Sequence, residues 1–131
     1  MSHWTTVKTK IKSLVHLAVA AKELGLVLCQ GTGIVARGYS SSERGCVAKI
    51  VGGATTKNWR YDIAIDKEAD GTFSMTTDWY DGKKQIVGEG FKKLKQQYTL
   101  AASMDAIRKK GWTAQKRILK DGTIQLVASG M

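Results

Sequence analysis

The stretch Arg60–Tyr80, RYDIAIDKEADGTFSMTTDWY, reads as two antiparallel strands joined by a turn. In the first arm Tyr61, Ile63 and Ile65 alternate with Arg60, Asp62, Ala64 and Asp66. In the second, Phe73, Met75, Thr77 and Trp79 alternate with Ser74, Thr76 and Asp78, the two-residue period of a half-buried strand. Between them the Asp70-Gly71 pair tolerates the positive φ that a tight reversal needs. One face of this hairpin is apolar and the other polar.

Working outward to the start of the chain, Trp4–Ile11 suits a first strand, with Trp4, Thr6, Lys8 and Lys10 on one side and Lys12 extending that row. Ser13 stands where an N-cap belongs, and Leu14, Leu17, Ala18, Ala21 and Leu24 follow at helical spacing. Gly25 is placed to stop this helix. Leu26–Cys29 then suits a second strand and Ile34–Arg37 a short third one. The intervening Gly31-Thr-Gly-Ile-Val-Ala36 matches the relaxed dinucleotide fingerprint GxGxxA, but no helix follows to hold a pyrophosphate, so the glycines read as a turn or bulge. A polar loop, Gly38–Gly45, leads into a strand over Cys46–Val51, and a second loop over Gly52–Asn58 carries Lys57.

Beyond the central hairpin, Asp81-Gly-Lys-Lys84 reads as a turn and Val87–Lys110 as a long helix. Phe91, Leu94, Tyr98 and Ala101 form its apolar stripe, widened by Leu100, Met104 and Ile107, and Arg108, Lys109 and Lys110 complement its C-terminal dipole before Gly111. The chain closes in a hairpin, Trp112–Leu119 and Ile124–Ala128, around Lys120-Asp-Gly-Thr123. The expected fold is a single α+β domain over residues 1–131 in the order β-α-β-β-β-β-β-α-β-β. Two helices cover one face of a single, mostly antiparallel sheet and leave the other face open.

Composition narrows the function. A chain of 131 residues, 43% hydrophobic and 24% charged, can bury its own core, and no apolar run approaches the ~20 residues of a membrane span. The polar opening MSHWTTVKTK lacks the apolar core of a secretory signal, which points to the cytoplasm or a plastid stroma. Cys29 and Cys46 have no metal-ligand spacing and read as two buried thiols rather than a disulfide or a metal site. The strong deviation is charge: 21 Lys and Arg against 11 Asp and Glu give a formal +10, which attracts polyanions.

The residues also carry a resemblance. Ser2-His-Trp-Thr-Thr-Val-Lys-Thr-Lys-Ile11, Val35-Ala-Arg-Gly-Tyr39, Tyr61-Asp-Ile-Ala-Ile65, Asp70-Gly-Thr-Phe73, Asp78-Trp79, Leu94, Gln97-Tyr98 and Asp121-Gly-Thr-Ile124 occur nearly end to end and in order. In them the chain resembles the small conserved reading frame of unknown function of algal plastid genomes and cyanobacteria, which has bacterial relatives. It departs in the aromatic third residue of the usual opening, here Trp4, and in a glycine-richer middle. The resemblance implies a compact intracellular domain and supplies no catalytic residues.

For catalysis, neither His3 nor His16 has an acid and a nucleophile at recognisable spacing, and His16 reads as a boundary residue of its helix. Asp62, Asp66, Asp70, Asp78 and Asp81 lack the rhythm of a cation-binding loop. A non-enzymatic module with no cofactor and no metal is therefore expected. Lys8, Lys10, Lys12, Arg60, Lys116 and Arg117 fall on expected strands, Arg37 and Arg44 at the edges of the polar loop. Together they could track a phosphate backbone while Trp4 and Tyr39, with Trp59 or Trp112, stack on bases. The expected partner is RNA or single-stranded DNA, bound with little sequence preference across the open sheet face. The alternative is an accessory or assembly role in which the same surface docks an acidic protein. No membrane contact is expected. Pairing of the last strand with its copy in a homodimer is compatible with the sequence and not specified by it.

Overall fold

Among the described residues, alternating and β-branched segments form seven strands, of which five join in one antiparallel sheet. The computed structural model describes residues 4–39, 42–53, 59–79 and 83–130. His3, Lys57 and Asp81 lie outside the described residues. In chain order the elements are β1 (Trp4–Lys8), α1 (Leu14–Glu23), β2 (Leu26–Arg37), β3 (Glu43–Gly52), β4 (Ile63–Lys67) and β5 (Phe73–Asp78). There follow α2 (Lys84–Val87), a 3-10 turn over Glu89–Phe91, α3 (Lys92–Lys109), β6 (Thr113–Ile118) and β7 (Ile124–Ser129). The large sheet runs β1-β5-β4-β3-β2, and β6-β7 form a small sheet of their own. The fold is α+β as expected, but the closing hairpin does not extend the main sheet.

The central hairpin pairs Ile65 with Met75 and Lys67 with Phe73, in the register its alternation requires. Its turn is held by Asp70, whose carboxylate accepts from the Thr72 N–H (3.0 Å) while Gly71 takes φ 86°. The closing hairpin repeats the device: Asp121 accepts from the Thr123 N–H (2.9 Å), with Gly122 at φ 85°. The Asp70 and Asp121 carboxyls are accordingly held below their usual range, chiefly by the hydrogen bonds from Thr72 and Thr123.

Helix α1 starts where expected, the Ser13 hydroxyl accepting from the His16 N–H at 3.2 Å, and ends before Gly25 at φ 77°. It buries Leu17, Ala20 and Ala21 against Leu26, Ala48, Ile50, Ile63, Ile65, Phe73 and Met75 of the sheet. The second long helix departs from expectation. Gly88 at φ 81° and Gly90 at φ 60° break the stretch, so that α2 and α3 are separate, with Phe91 itself left-handed at φ 64°. The break turns Val87, Phe91 and Leu94 into the core together, and Trp79 packs on Phe91 with ring centroids 4.8 Å apart.

Three further departures concern the sheet. The expected strand Trp4–Ile11 ends at Lys8, because the Thr9 hydroxyl bonds to the Phe73 carbonyl and takes the Ile11 N–H in place of a regular ladder. The expected second and third strands are one, β2, whose register against β3 slips between Gln30 and Ile34, where Gly33 takes φ 69°. Beyond that bulge the β2–β3 ribbon curls over. The Asp62 N–H at the head of β4 donates to the Arg37 carbonyl (2.9 Å), and Lys49 Nζ donates to the Val35 carbonyl (3.0 Å).

The curl covers the face that was expected to be open. Ala36, Ala64 and Thr76 are fully buried there and Ser74 nearly so, although the apolar cluster under the helices lies on the other side. Thr6 and Thr76 satisfy each other across β1 and β5 at 2.8 Å. Trp4, on one edge strand, packs over Gly38, at the end of the other, so the two sheet edges meet through a side chain. A Cβ at Gly38 would lie 2.6 Å from Trp4 Cζ2, whereas one at Gly45 meets nothing within 4 Å. Gly38→Ala is therefore expected to cost roughly 1–3 kcal/mol in urea unfolding, while Gly45→Ala is neutral or slightly stabilising. Equal stability of the two variants would show that the edges do not close.

Candidate functional site

The curled end of the sheet concentrates charge and aromatic rings around one carboxylate. Asp62, fully buried, accepts at Oδ2 from the Arg37 backbone N–H (2.9 Å) and side-chain Nε (3.2 Å), and at Oδ1 from Arg37 Nη2 (3.1 Å). Lys49 Nζ reaches the same carboxylate at 3.5 Å. The Asp62 carbonyl takes the Thr77 hydroxyl at 3.0 Å. A buried carboxylate is tolerable only when paired and fully hydrogen-bonded, and this one is both. Arg37 is pushed above its ordinary value by the hydrogen bonds it donates to Asp62 and by that charge, and its side chain remains 60% exposed.

A second cation is enclosed beside it. Lys83, almost fully buried, donates to the Asp78 carbonyl (3.2 Å), with Nζ 4.8 Å from the Trp59 ring centroid and 5.6 Å from that of Tyr61. Tyr61 in turn meets Tyr39 edge to face, centroids 6.3 Å apart. Trp4 pairs with Asp78 in the β1–β5 ladder, which brings it to the same end. Arg37, Tyr39, Arg60 and Trp4, four of the residues expected to bind, thus gather at this end, with Arg60 exposed and Tyr39 and Trp4 half-buried.

The other expected residues lie elsewhere. Lys8 sits opposite Ser74, which sits opposite Asp66, and Arg44 bonds Asp66 at 3.3 Å, so Lys8 and Arg44 flank one acidic residue farther along the sheet. Lys10 lines a shallow groove with Ile11, Lys95 and Tyr98, and the Lys12 N–H donates to the Tyr98 hydroxyl at 3.0 Å. Lys116 and Arg117 are on β6, on opposite faces of the small sheet, Lys116 turned toward α1 and α3. Sequence reasoning missed Asp62, Lys49 and Lys83 as members of the site. In the sequence Asp62 is a polar residue at an alternating position and one of five aspartates without the rhythm of a cation-binding loop, and Lys83 is part of a turn.

A further pair joins the helices. His16 Nε2 lies 3.0 Å from Asp105 Oδ2, and Lys109 Nζ lies 3.1 Å from the same oxygen. These hydrogen bonds, His16 first, hold the Asp105 carboxyl below its usual range. A carboxyl depressed in the folded state contributes stability at a pH above its unfolded value, and that contribution is lost as pH falls through the folded value. Acid titration of stability should therefore show a loss below about pH 4 that Asp105→Asn reduces, and an unchanged acid limb in that variant would discount the tie.

Truncating the central carboxylate is a stronger perturbation. Asp62→Ala leaves the Arg37 backbone N–H without its acceptor and takes the counter-charge from Arg37 and Lys49, and is expected to cost about 1–3 kcal/mol in denaturant unfolding. A loss within about 0.5 kcal/mol, the range of ordinary surface changes, would mean that the curl does not depend on it.

The sequence profile of a family described as "Protein of unknown function (DUF1257)" matches residues 20–127. No curated protein and no solved structure gave a significant match. The matched span runs from within α1 to within β7 and so includes the whole curled β2–β3 ribbon and the Asp62 centre.

Proposed function

This chain belongs to the DUF1257 family, whose function is unknown, and we propose that it is a basic, non-enzymatic module that binds RNA or single-stranded DNA with little sequence preference. The supporting observation is the gathering of Arg37 and Arg60 with Tyr39 and Trp4 at the curled end of the sheet. Cations that meet phosphates and rings that stack on bases are the two elements of sequence-tolerant single-strand binding. The interface in this reading is centred on that end, since the small and polar residues of the second sheet face are buried. Lys8 and Arg44 extend the basic track along the sheet, while Lys116 and Arg117 stand apart from it.

The Asp62 centre has a specific part. It holds Arg37 by backbone and side chain, so the guanidinium is oriented before a ligand arrives and little rotamer freedom is lost on binding. The cytoplasm or a plastid stroma is the setting this role implies. Among the described residues no helix is long and apolar enough to cross a membrane.

Fluorescence titration of short labelled RNA and DNA strands at several salt concentrations tests the reading. Affinity is expected to fall with salt, at about 0.7 in log–log slope per phosphate neutralised. Arg60→Glu should weaken binding and flatten that slope by about 1, whereas Lys120→Glu, the same charge change in the distant β6–β7 turn, should do neither. No binding in dilute buffer, or equal losses in both variants, would overturn the proposal. Retention of an acidic protein by a nuclease-treated, nucleic-acid-free preparation would assign the basic surface to protein docking instead.

A further inference from the structure

Among the described residues one edge of β7 is unpaired and carries no charge. A hairpin standing alone is marginal in water, and β6–β7 has no third strand among the described residues. Edge strands are normally blunted by charges, proline or bulges. β7, Ile124-Gln-Leu-Val-Ala-Ser129, has no charged residue and no proline, and its register against β6 is unbroken over six pairs. The groove beside it, about 330 Å³, is lined by Gln96, Thr99, Leu100, Ser103, Ile124 and Leu126, again without a charge. In a chain of formal +10 this is an uncharged edge running into an uncharged groove.

We infer that β7 pairs antiparallel with β7 of a second copy, giving a two-fold dimer with a continuous four-stranded sheet β6-β7-β7-β6. Charge selects both the edge and the occupant. A two-fold contact through β6 would oppose Lys116 and Arg117 to their copies, whereas β7 brings no like charges together. Symmetry restricts the register further. Ile124, Leu126 and Ala128 share the face that includes Ala114, Lys116 and Ile118, and Gln125 and Val127 share the other with Gln115 and Arg117. A two-fold axis passing between two residues would join one face of a hairpin to the opposite face of its copy. An axis through Leu126 or Val127 keeps each face continuous. The same contact shields Ile118, 74% exposed at the end of β6, only indirectly, so the burial gained is centred on β7 and its groove.

The inference does not rest on nucleic-acid binding and can be tested without any ligand. Sedimentation of the full chain over a range of concentrations should show reversible association to twice the chain mass. Val127→Lys puts like charges at the axis or one residue from it, on the face away from α3, and should leave a monomer with an unchanged far-ultraviolet circular dichroism spectrum. Gln115→Lys adds the same charge directly opposite Val127 within the hairpin, but on the inner strand, and should still dimerise. A native chain that is monomeric at every concentration overturns the inference. So does a Val127→Lys chain that dimerises like the native one, or equal loss in both variants.

Discussion

The buried carboxylate of Asp62 is the constraint on which the rest of the sheet depends. Removing such a charge from water is costly, and the cost is offset here by three hydrogen bonds from Arg37 and the approach of Lys49. Three of those four donors are on one residue at the end of β2, so the carboxylate can be satisfied only if the β2–β3 ribbon bends back over β4. The bulge between Gln30 and Ile34 makes that bend available. Trp4 over Gly38 then closes the gap between the edge strands. Burial of Ala36, Ala64 and Thr76 follows from the same movement.

The closure also sets which side chains the sheet displays together. A flat sheet covered by helices on one side would leave a broad platform on the other, over which basic residues at alternate positions could align. The curl replaces that platform with a narrow end at which two arginines and several rings are close in space. Enclosing Lys83 between Trp59 and Tyr61 stiffens this end from within, since a desolvated cation facing aromatic rings is held by them as well as by the Asp78 carbonyl. The C-terminal hairpin, by contrast, is joined to the body through α3, and its strands are largely exposed.

Much of the local structure was legible. Ser13 and Gly25 delimit α1, the Asp-Gly-Thr turns close both hairpins, and the failure of a helix to follow Gly31-Thr-Gly-Ile-Val-Ala36 correctly turned the glycines into a bulge rather than a phosphate cradle. These signals act within a few residues, through capping, turn chemistry and positive φ. The reading failed where a local signal was ambiguous. The apolar spacing across Val87–Lys110 looked continuous, yet Gly88 and Gly90 had the freedom to break it and core packing of Phe91 used that freedom. Alternation in Phe73–Asp78 separated two faces correctly but wrongly implied that the polar one meets water, because every residue of that strand is buried.

By itself, then, the sequence determined the strands, the turns, the first helix and the basic character of the chain. Each of these depends on neighbours along the backbone or on composition alone. Only the tertiary structure decided that Arg37 would meet Asp62, 25 residues away, that Trp4 would lie over Gly38, and that His16 would find Asp105, 89 residues away. It also decided that the last hairpin would stand apart. Such contacts depend on how far a sheet curls and where a helix breaks. Those outcomes follow from satisfying buried charge and filling the core over the whole chain, and no window of sequence contains them.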